Sequence, residues 1–446
     1  MKRVITTWWP LAFSWLLMGI ELPALSATIA RLPDPEINLA AYGGVVFPLA
    51  LIIESPIIML LSASTALSKD WASYQLQRRY MLAAGAALTL LHILVAFTPL
   101  YYVVVEGILG VPAEIVEPAR IGLMIMTPWT WSIAYRRFNQ GVLIRFGQSW
   151  AVGAGTVVRL CGNLIVLVSG YLYGQLPGIV VGASAVAVGV VSEAIFVGLI
   201  VQPILHGDLR RAPTVIPALT WRAFWAFYLP LVLTSLLTLL ANPIGSAAIS
   251  RMPQALPSLA VWPVLTGFIF MLRSLGIAYN EVVIALLDDY GSSIALKRFA
   301  LWLAAGTTLA LLLVAVTPLS NLWFSSISAL SPELASMARL ALWVALPLPA
   351  LNVLQSWYQG AILYGRRTRA ITESVIIYLI TSAVVLAIGV SRSSVAGLYF
   401  GIAALSLSVF TQTAWLWWRS RPVLQRVSLR DHTPAPVATA AVTTGE

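Results

Sequence analysis

Long, nearly uninterrupted apolar segments recur along the whole chain. Twelve can be recognised between short polar stretches, approximately over 8–31, 40–68, 80–105, 115–136, 148–173, 178–205, 222–250, 258–287, 297–320, 334–364, 370–391 and 394–418. Each provides the ~20 apolar residues that a helix needs to cross a bilayer. The runs lack the alternation typical of membrane β-strands, and lipid offers backbone polar groups no partner outside a helix. The pattern therefore predicts an all-α polytopic membrane protein with twelve transmembrane helices.

The composition supports this prediction and narrows the function. Of 446 residues, 59% are hydrophobic and only 10% are charged, whereas a soluble domain carries roughly 25% charged residues. One Cys and three scattered His argue against a disulfide framework and a metal site. No P-loop, H-E-x-x-H or G-x-S-x-G motif occurs, so we expect neither an enzyme nor a bound cofactor.

The net charge of +10 raises the possibility of nucleic-acid binding, but the distribution of the basic residues favours a bilayer as the partner. With the N-terminus inside, 20 of the 27 Lys and Arg fall in inner loops or the tail, 5 fall outside and 2 lie within spans. Arg136 and Arg137 are counted as inner-loop residues. This asymmetry predicts that both termini are cytoplasmic, in a bacterial inner membrane or a plasma membrane.

An internal repeat relates the first half of the chain to the second. The pattern Pro23-x-x-Ser26-Ala27-x-Ile29-x-Arg31-x-Pro33 recurs 220 residues later, from Pro243 to Pro253. Further along the offset becomes 219, where Thr98-Pro99-Leu100 matches Thr317-Pro318-Leu319. Matches at one register over such a length indicate duplication of a six-helix unit.

The repeat fixes the domain organisation. We predict an N-terminal six-helix half over 1–206, a cytoplasmic linker over 207–221 and a C-terminal six-helix half over 222–420. Residues 421–446 are expected to form a disordered cytoplasmic tail. Because each half has an even number of spans, the two share one orientation, as in transporters built from parallel repeats.

Short motifs carry a resemblance to a known superfamily. Trp8-Trp9-Pro10-Leu11 opens the first span, Pro243 to Arg251 belongs to the seventh, and Gln140-Gly141 follows the fourth. With the two six-helix halves, these residues resemble the multidrug/oligosaccharidyl-lipid/polysaccharide (MOP) exporter superfamily. That superfamily includes the multidrug and toxic-compound extrusion (MATE) transporters and the lipid-linked oligosaccharide flippases. Within it the chain looks most like the progressive ankylosis protein and its bacterial relatives.

The resemblance implies an alternating-access, ion-coupled exporter with a central cavity. The progressive ankylosis group implies small organic or phosphate-bearing anions as substrates, whereas the wider superfamily implies cationic drugs or lipid-linked sugars. Many MATE transporters carry a coupling Asp in the first span. Here Glu21 is the only acid in that span, so the coupling site does not transfer directly.

Two ionisable residues lie mid-span at repeat-related positions. Glu54 is in the second span and Arg273, 219 residues later, is in the eighth. Charges at membrane depth are costly and are candidates for function. One interpretation is a substrate or proton site with a gating pair at the central cavity. The other is a buried ion pair that locks the two halves together.

Further charges lie within spans of the first half. Arg159 and Glu193 are candidates for the substrate or ion pathway, or they form a static ion pair within the first half. Glu21, beside Pro23, is a candidate protonation site, because desolvation favours the neutral form of a carboxyl group. The alternative is that Glu21 faces a wet cavity without coupling to transport.

Spans 1 and 7 contain two more repeat-related pairs, one of arginines at their outer ends and one of prolines within them. Arg31 and Arg251 are expected to form a basic mouth that attracts anions, or to reach lipid phosphates. Pro23 and Pro243 lie inside helices, where each leaves a carbonyl without its usual donor. They are candidate hinges, with a static kink as the alternative.

The sequence as a whole favours a secondary active exporter or flippase. The four arginines Arg31, Arg159, Arg251 and Arg273 favour an anionic substrate or an anionic head group, and the resemblance implies a small organic or phosphate-bearing anion. The alternative is proton- or sodium-coupled efflux of cationic drugs, in which Glu21 and Glu54 bind cations. A different class, a membrane scaffold that transports nothing, also remains open.

Overall fold

The computed structural model describes residues 1–287, 289–365, 369–392 and 394–432, and this described part of the chain is organised as helices. The N-terminal half contains α1 (Lys2–Ile29), α2 (Pro35–Ala41), α3 (Phe47–Glu54), α4 (Leu60–Leu67), α5 (Trp71–Phe97), α6 (Leu100–Tyr102), α7 (Val116–Ile125), α8 (Thr127–Arg145), α9 (Trp150–Tyr173) and α10 (Gly178–Ile200). Short π-helical segments cover Tyr42–Val46 and Val103–Leu109, and a 3-10 turn covers Ala113–Ile115.

A connecting segment with two short helices precedes the C-terminal half. They are α11 (Gln202–His206) and α12 (Asp208–Arg211). The C-terminal half contains α13 (Trp221–Ser250), α14 (Ala255–Leu286), α15 (Ser292–Val316), α16 (Leu319–Asn321), the π-helical segment Leu322–Ile327, α17 (Pro332–Ala345), α18 (Leu348–Tyr364), α19 (Arg369–Arg392) and α20 (Gly397–His432).

The repeat found in the sequence is present in the helix boundaries. The first and last residues of α9 lie 219 positions before those of α19, and α10 starts at Gly178 where α20 starts at Gly397. The predicted all-α fold is therefore confirmed, and its helix boundaries follow the predicted repeat.

Ten helical stretches of the described chain are long and apolar enough to cross a bilayer. Two of them, Pro35–Glu54 and Gly178–Arg211, combine several consecutive elements. The bent pair α17 and α18, which meet at 41°, passes the same test when the two helices are taken together as one broken span. The remaining predicted segment, 115–136, corresponds to α7 and α8, which are divided at Met126. The protein is therefore a multi-pass membrane protein.

Two predicted boundaries differ from the structure. The helix α8 continues nine residues past the predicted end of its segment, so Arg136 and Arg137 belong to this helix and not to an inner loop. At the other end of the chain, α20 extends to His432, and residues 421–432 of the predicted disordered tail are helical. Residues 433–446 lie outside the described residues.

The start of α1 and the last described turn of α20 lie at the same end of the helix bundle, called here the terminal end. Arg3 forms an ion pair with Asp289 at 2.8 Å. Arg430, near the end of α20, donates hydrogen bonds to the carbonyls of Leu287 and Asp289. The opposite end, where α1 and α13 finish near Arg31 and Arg251, is called here the far end.

The two halves contact each other in a symmetric manner. The helix α1 packs along α14, and its counterpart α13 packs on α3 and on the π-helical segment that precedes it. The helix α14 is equivalent in the repeat to the stretch from α2 to α4, which includes α3. These contacts are therefore related by a pseudo-twofold axis. They place spans 1, 2, 7 and 8 around the space between the halves.

Candidate functional site

A cavity of about 610 Å³ lies between the two halves. Its wall is mainly apolar, with Trp129, Trp262 and Phe270 among the lining residues. The charged lining residues are Glu21, Glu54, Arg136, Arg137 and Arg159 from the N-terminal half and Arg273 from the C-terminal half. A few charged groups on a mostly apolar concave surface are typical of a small-molecule site.

On the N-terminal side, α1 and α9 are joined by ionic contacts. The Arg159 guanidinium lies 2.7 Å from the Glu21 carboxylate, and the Asn163 amide donates to the same carboxylate at 2.6 Å. Asn163 has room for this position because α10 carries Gly189 opposite it. A Cβ atom at Gly189 would lie 1.6 Å from the Asn163 Oδ1 atom.

Behind this pair lies a second acid, Glu193, whose side chain is only 1% exposed. Arg136 donates a hydrogen bond to Glu193, and Gln140 donates another at 2.9 Å. The Arg159 Nε atom lies 3.8 Å from the Glu193 carboxylate. Glu21, Arg159, Glu193 and Arg136 therefore form a continuous chain of alternating charges, called here the N-half network.

The N-half network contains more partners than the sequence predicts. The Arg159–Glu193 ion pair is present at 3.8 Å, but Arg159 lies closer to Glu21, and Glu193 lies closer to Arg136. The reason is geometric: α8 brings to Glu193 a buried arginine that the hydropathy pattern places in a loop.

The mid-span residues Glu54 and Arg273 both line the cavity, but they form no ion pair within 4 Å of each other. The buried Glu54 Oε2 atom and the Arg273 Nε atom each have no hydrogen-bond partner. Both side chains are thus available to a third group in the cavity.

Comparison of equivalent positions shows that the two walls of the cavity differ in charge. In the C-terminal half, neutral residues replace the ionic ones of the N-terminal half: Ala241 for Glu21, Gln355 for Arg136, Ser356 for Arg137, Tyr378 for Arg159, Ser382 for Asn163 and Gln412 for Glu193. Five of these replacements line the cavity. Arg273, at the position of Glu54, is the one charged lining residue that the described C-terminal half contributes.

Arg136 and Arg137 are the site residues that the sequence pattern alone does not reveal. They follow an aromatic and polar stretch whose mean hydropathy is too low for a clear membrane span. For this reason the hydropathy pattern ends the predicted segment at residue 136. The available signal is the uninterrupted run from Thr127 to Arg145, which contains no Pro or Gly apart from Pro128 and Gly141. Such a run is consistent with a helix that extends beyond the apolar segment.

At the far end, Arg31 and Arg251 bind backbone carbonyls of the opposite half. Arg31 donates to the carbonyls of Ser326 at 2.6 Å and Ile327 at 2.7 Å. Arg251 donates to those of Ile108 at 2.6 Å and Leu109 at 2.8 Å. We call these four contacts the far-end clamp.

The far-end clamp has a simple structural origin. Its carbonyls belong to the last residues of the two equivalent π-helical segments, Val103–Leu109 and Leu322–Ile327. The last carbonyls of a helix have no donor within the helix, and a guanidinium cation near the negative end of the helix dipole satisfies them. The guanidinium groups of Arg31 and Arg251 are therefore hydrogen-bonded to carbonyls of the opposite half.

A second reciprocal pair of hydrogen bonds joins the halves nearer the terminal end. Trp8 Nε1 donates to the carbonyl of Leu275 at 3.0 Å, and the Tyr228 hydroxyl donates to the carbonyl of Pro56 at 2.6 Å. These donors are 220 residues apart and the acceptors 219, so the pair follows the same pseudo-symmetry. We call these contacts the terminal-end pair.

The candidate hinges Pro23 and Pro243 are both buried inside long helices. The helix α1 runs unbroken through Pro10 and Pro23, and α13 runs unbroken through Pro230 and Pro243. Their role in bending stays a prediction.

Comparison with known proteins identifies the fold. No protein-family model matches the chain, and no curated protein matches it. Among solved structures, an inward-facing MATE-family multidrug resistance transporter of the MOP superfamily superposes with a TM-score of 0.63 and 15% identity, covering 93% of this chain and 99% of that one. The lipid II flippase MurJ, in an inward closed conformation, gives a TM-score of 0.67 and 13% identity, with 94% and 88% covered.

A third similar structure is a MOP superfamily transporter from Pyrococcus furiosus described as having a binding pocket of reversed polarity. Its TM-score is 0.58 at 16% identity, and 95% of this chain and 96% of that chain are covered. At such low identities the likeness establishes the MATE and MOP transporter fold over nearly the whole chain. The substrate has to be argued from the cavity itself.

Proposed function

We propose that this protein is a secondary active exporter or flippase that works by alternating access and moves an anion. The observation that carries the proposal is the cavity between the halves, into which Arg273 brings a positive charge without any carboxylate within ion-pairing distance. A cation enclosed in an apolar cavity attracts an anion strongly, because little water screens the interaction. The likeness to MATE transporters and to a lipid II flippase supports the transport mechanism.

The cavity gives less support to the export of cationic drugs. Such export would need carboxylates that are free to bind a cation. Glu21 is already paired with Arg159 and Glu193 with Arg136. Among the described residues Glu54 has no ion pair, but it shares the cavity wall with Arg137 and Arg273, whose positive charges repel a cation. A scaffold without transport would gain nothing from Arg273, because a buried cation without a partner destabilises the fold.

The two sets of contacts between the halves are suited to act as gates. For alternating access, the halves must separate at one end while they stay together at the other. Opening the far end breaks the four hydrogen bonds of the far-end clamp, and opening the terminal end breaks the terminal-end pair. We propose that each set holds one end closed, with Pro23 and Pro243 as the bending points of α1 and α13.

Removing either gate is expected to shift the conformational balance in opposite directions. The double variant Arg31→Gln/Arg251→Gln loses charge-assisted hydrogen bonds of the far-end clamp and should increase the population open at the far end. The variant Trp8→Phe/Tyr228→Phe loses the terminal-end pair and should favour opening at that end. Distances between spin labels on the two halves, measured at both ends, would report these shifts.

The two variants serve as controls for each other. A general loosening of the fold would lengthen distances at both ends in both variants. Equal changes at both ends, or no change in the Arg31→Gln/Arg251→Gln variant, would contradict the assignment of the clamp as a gate. In every variant the single cysteine, Cys161, which is exposed, is first replaced by Ser so that labels attach only where intended.

We also propose that the terminal end faces the cytoplasm, in a bacterial inner membrane or a plasma membrane. Placing Arg136 and Arg137 inside the bundle leaves 18 basic residues on the inner side and 5 on the outer side, so the positive-inside argument still holds. Reporter fusions near residues 2 and 430 should both report a cytoplasmic location. A fusion that is active on the outside would overturn this orientation.

Flux measurements would test the proposed function itself. Purified protein in liposomes should accumulate or release labelled organic or phosphate-bearing anions, the substrates implied by the likeness to the progressive ankylosis group, when a proton or sodium gradient is imposed. Cationic drugs and lipid-linked sugars serve as the competing substrate classes. Flux of a cationic drug with no flux of any anion would contradict the proposal.

A further inference from the structure

The charges around the cavity are distributed unequally between the two halves. The N-terminal half lines the cavity with Glu21, Glu54, Arg136, Arg137 and Arg159, and Glu193 lies behind this wall as the partner of Arg136. With all three glutamates ionised, the three negative and three positive charges make the N-terminal side neutral. The described C-terminal half adds Arg273 alone to the lining. The cavity thus carries one positive charge in excess.

Resting on the proposed function, we infer that the substrate is an organic monoanion and that its charged group binds to the C-terminal half at Arg273. A singly charged anion makes the loaded cavity neutral. Neutrality matters because a net charge in surroundings of low dielectric constant is strongly disfavoured, and the loaded cavity has to pass through a closed state. A dianion would leave one negative charge in excess.

The surroundings of Arg273 fit an anionic group followed by an uncharged body. Tyr378, Gln355 and Gln412 line the same wall of the cavity as Arg273. These side chains donate hydrogen bonds without adding charge. The rest of that wall includes Trp262 and Phe270, which suit an apolar or planar part of the substrate.

The N-terminal half has a different task in this scheme. Its N-half network is internally paired, so it fixes α1, α8, α9 and α10 relative to one another without needing a ligand. Glu54 is the exception, because its Oε2 atom has no hydrogen-bond partner and it lies outside the network. A proton taken up by Glu54 would raise the excess charge of the cavity to two, and the cavity would then be suited to a dianion.

A set of variants that changes the cavity charge by one unit at a time would test this inference. Gln412→Glu removes the excess charge, and Glu54→Gln doubles it. Gln425→Glu, on the exposed part of α20 and outside the cavity lining, adds the same charge elsewhere and is the matched control. Gln412→Glu introduces the acid that the equivalent position of the other half already carries in Glu193.

Each protein would be assayed in liposomes with matched probes of similar size. The monoanions are an alkyl sulfonate and a phosphodiester. The dianions are a phosphate monoester and a dicarboxylate. We expect wild-type protein and Gln425→Glu to transport the monoanions at least tenfold faster than the dianions. Glu54→Gln should reverse this preference, and Gln412→Glu should lose at least tenfold of the monoanion flux.

The outcomes separate this inference from the proposed function. A wild-type preference for dianions, or an unchanged preference in Glu54→Gln, would overturn the monoanion assignment while anion transport itself stands. Flux of cations only, or of no probe at all, would overturn both. Because the Glu54 Oε2 atom has no hydrogen bond to lose, Glu54→Gln is expected to fold, and its melting temperature provides the check.

Discussion

Replacing Arg273 by Gln is expected to reduce anion transport at limiting substrate by at least about thirtyfold. Removing one partner of a desolvated, hydrogen-bonded charge pair costs roughly 2–5 kcal/mol of binding, and each 1.4 kcal/mol corresponds to about a factor of ten. The measurement is the initial rate of labelled anion flux in liposomes, normalised to the amount of inserted protein.

The same substitution should leave the fold intact. The Arg273 side chain takes part in no ion pair within 4 Å and its Nε atom has no hydrogen-bond partner in the described structure, so no protein group loses its partner. Arg273→Lys keeps the charge and should restore part of the flux. Arg426→Gln, on the exposed part of α20, is the control for a general loss of positive charge. Full transport activity of Arg273→Gln would contradict the proposal that the anion binds at Arg273 in this cavity.

The second large effect is expected on stability. Glu193→Gln leaves Arg136, whose side chain is 5% exposed, without a counter-charge inside the protein. Breaking a buried ion pair by removing one partner costs roughly 3–5 kcal/mol. We therefore expect a marked fall in the melting temperature of the protein in detergent, together with lower expression.

The C-terminal half suggests how to rescue this loss. At the positions of Arg136 and Glu193 it carries Gln355 and Gln412, a neutral pair that the same fold accommodates. The double variant Arg136→Gln/Glu193→Gln should thus be more stable than Glu193→Gln alone. If the single variant melts like the wild-type protein, the N-half network does not hold α8 and α10 together as argued.

The sequence predicts the fold and part of the site because both follow from patterns along the chain. Apolar runs of sufficient length define membrane helices, and the offset of 219 is enough to relate Glu54 to Arg273. Since the pseudo-twofold axis passes between the halves, equivalent residues on spans 2 and 8 reach the same cavity. Both residues line it in the structure.

The partners of the charged residues cannot be predicted in the same way. A mid-span position fixes the depth of a side chain but not the direction in which the helix turns it, so the sequence pairs Arg159 with Glu193 and does not reveal its contact with Glu21. The break of α7 and α8 at Met126 displaces the predicted end of that segment. As a result, the pattern places Arg136 and Arg137 in a loop.

The far-end arginines illustrate a second limit. From the sequence, Arg31 and Arg251 could attract anions at an open mouth or contact lipid phosphates. The structure shows them bound to carbonyls some 295 and 143 residues away in the chain. Contacts of this kind depend on how the two halves are placed against each other, and no local pattern encodes that placement.

Reversible cross-linking of the far end would test alternating access of an anion most directly. Cysteines at Arg31 and Ile327, in protein lacking Cys161, would be joined by a short cleavable thiol cross-linker and assayed for anion flux in liposomes. The account predicts that flux stops when the halves are joined and returns when the linker is cleaved. Anion flux that continues in fully cross-linked protein would contradict it.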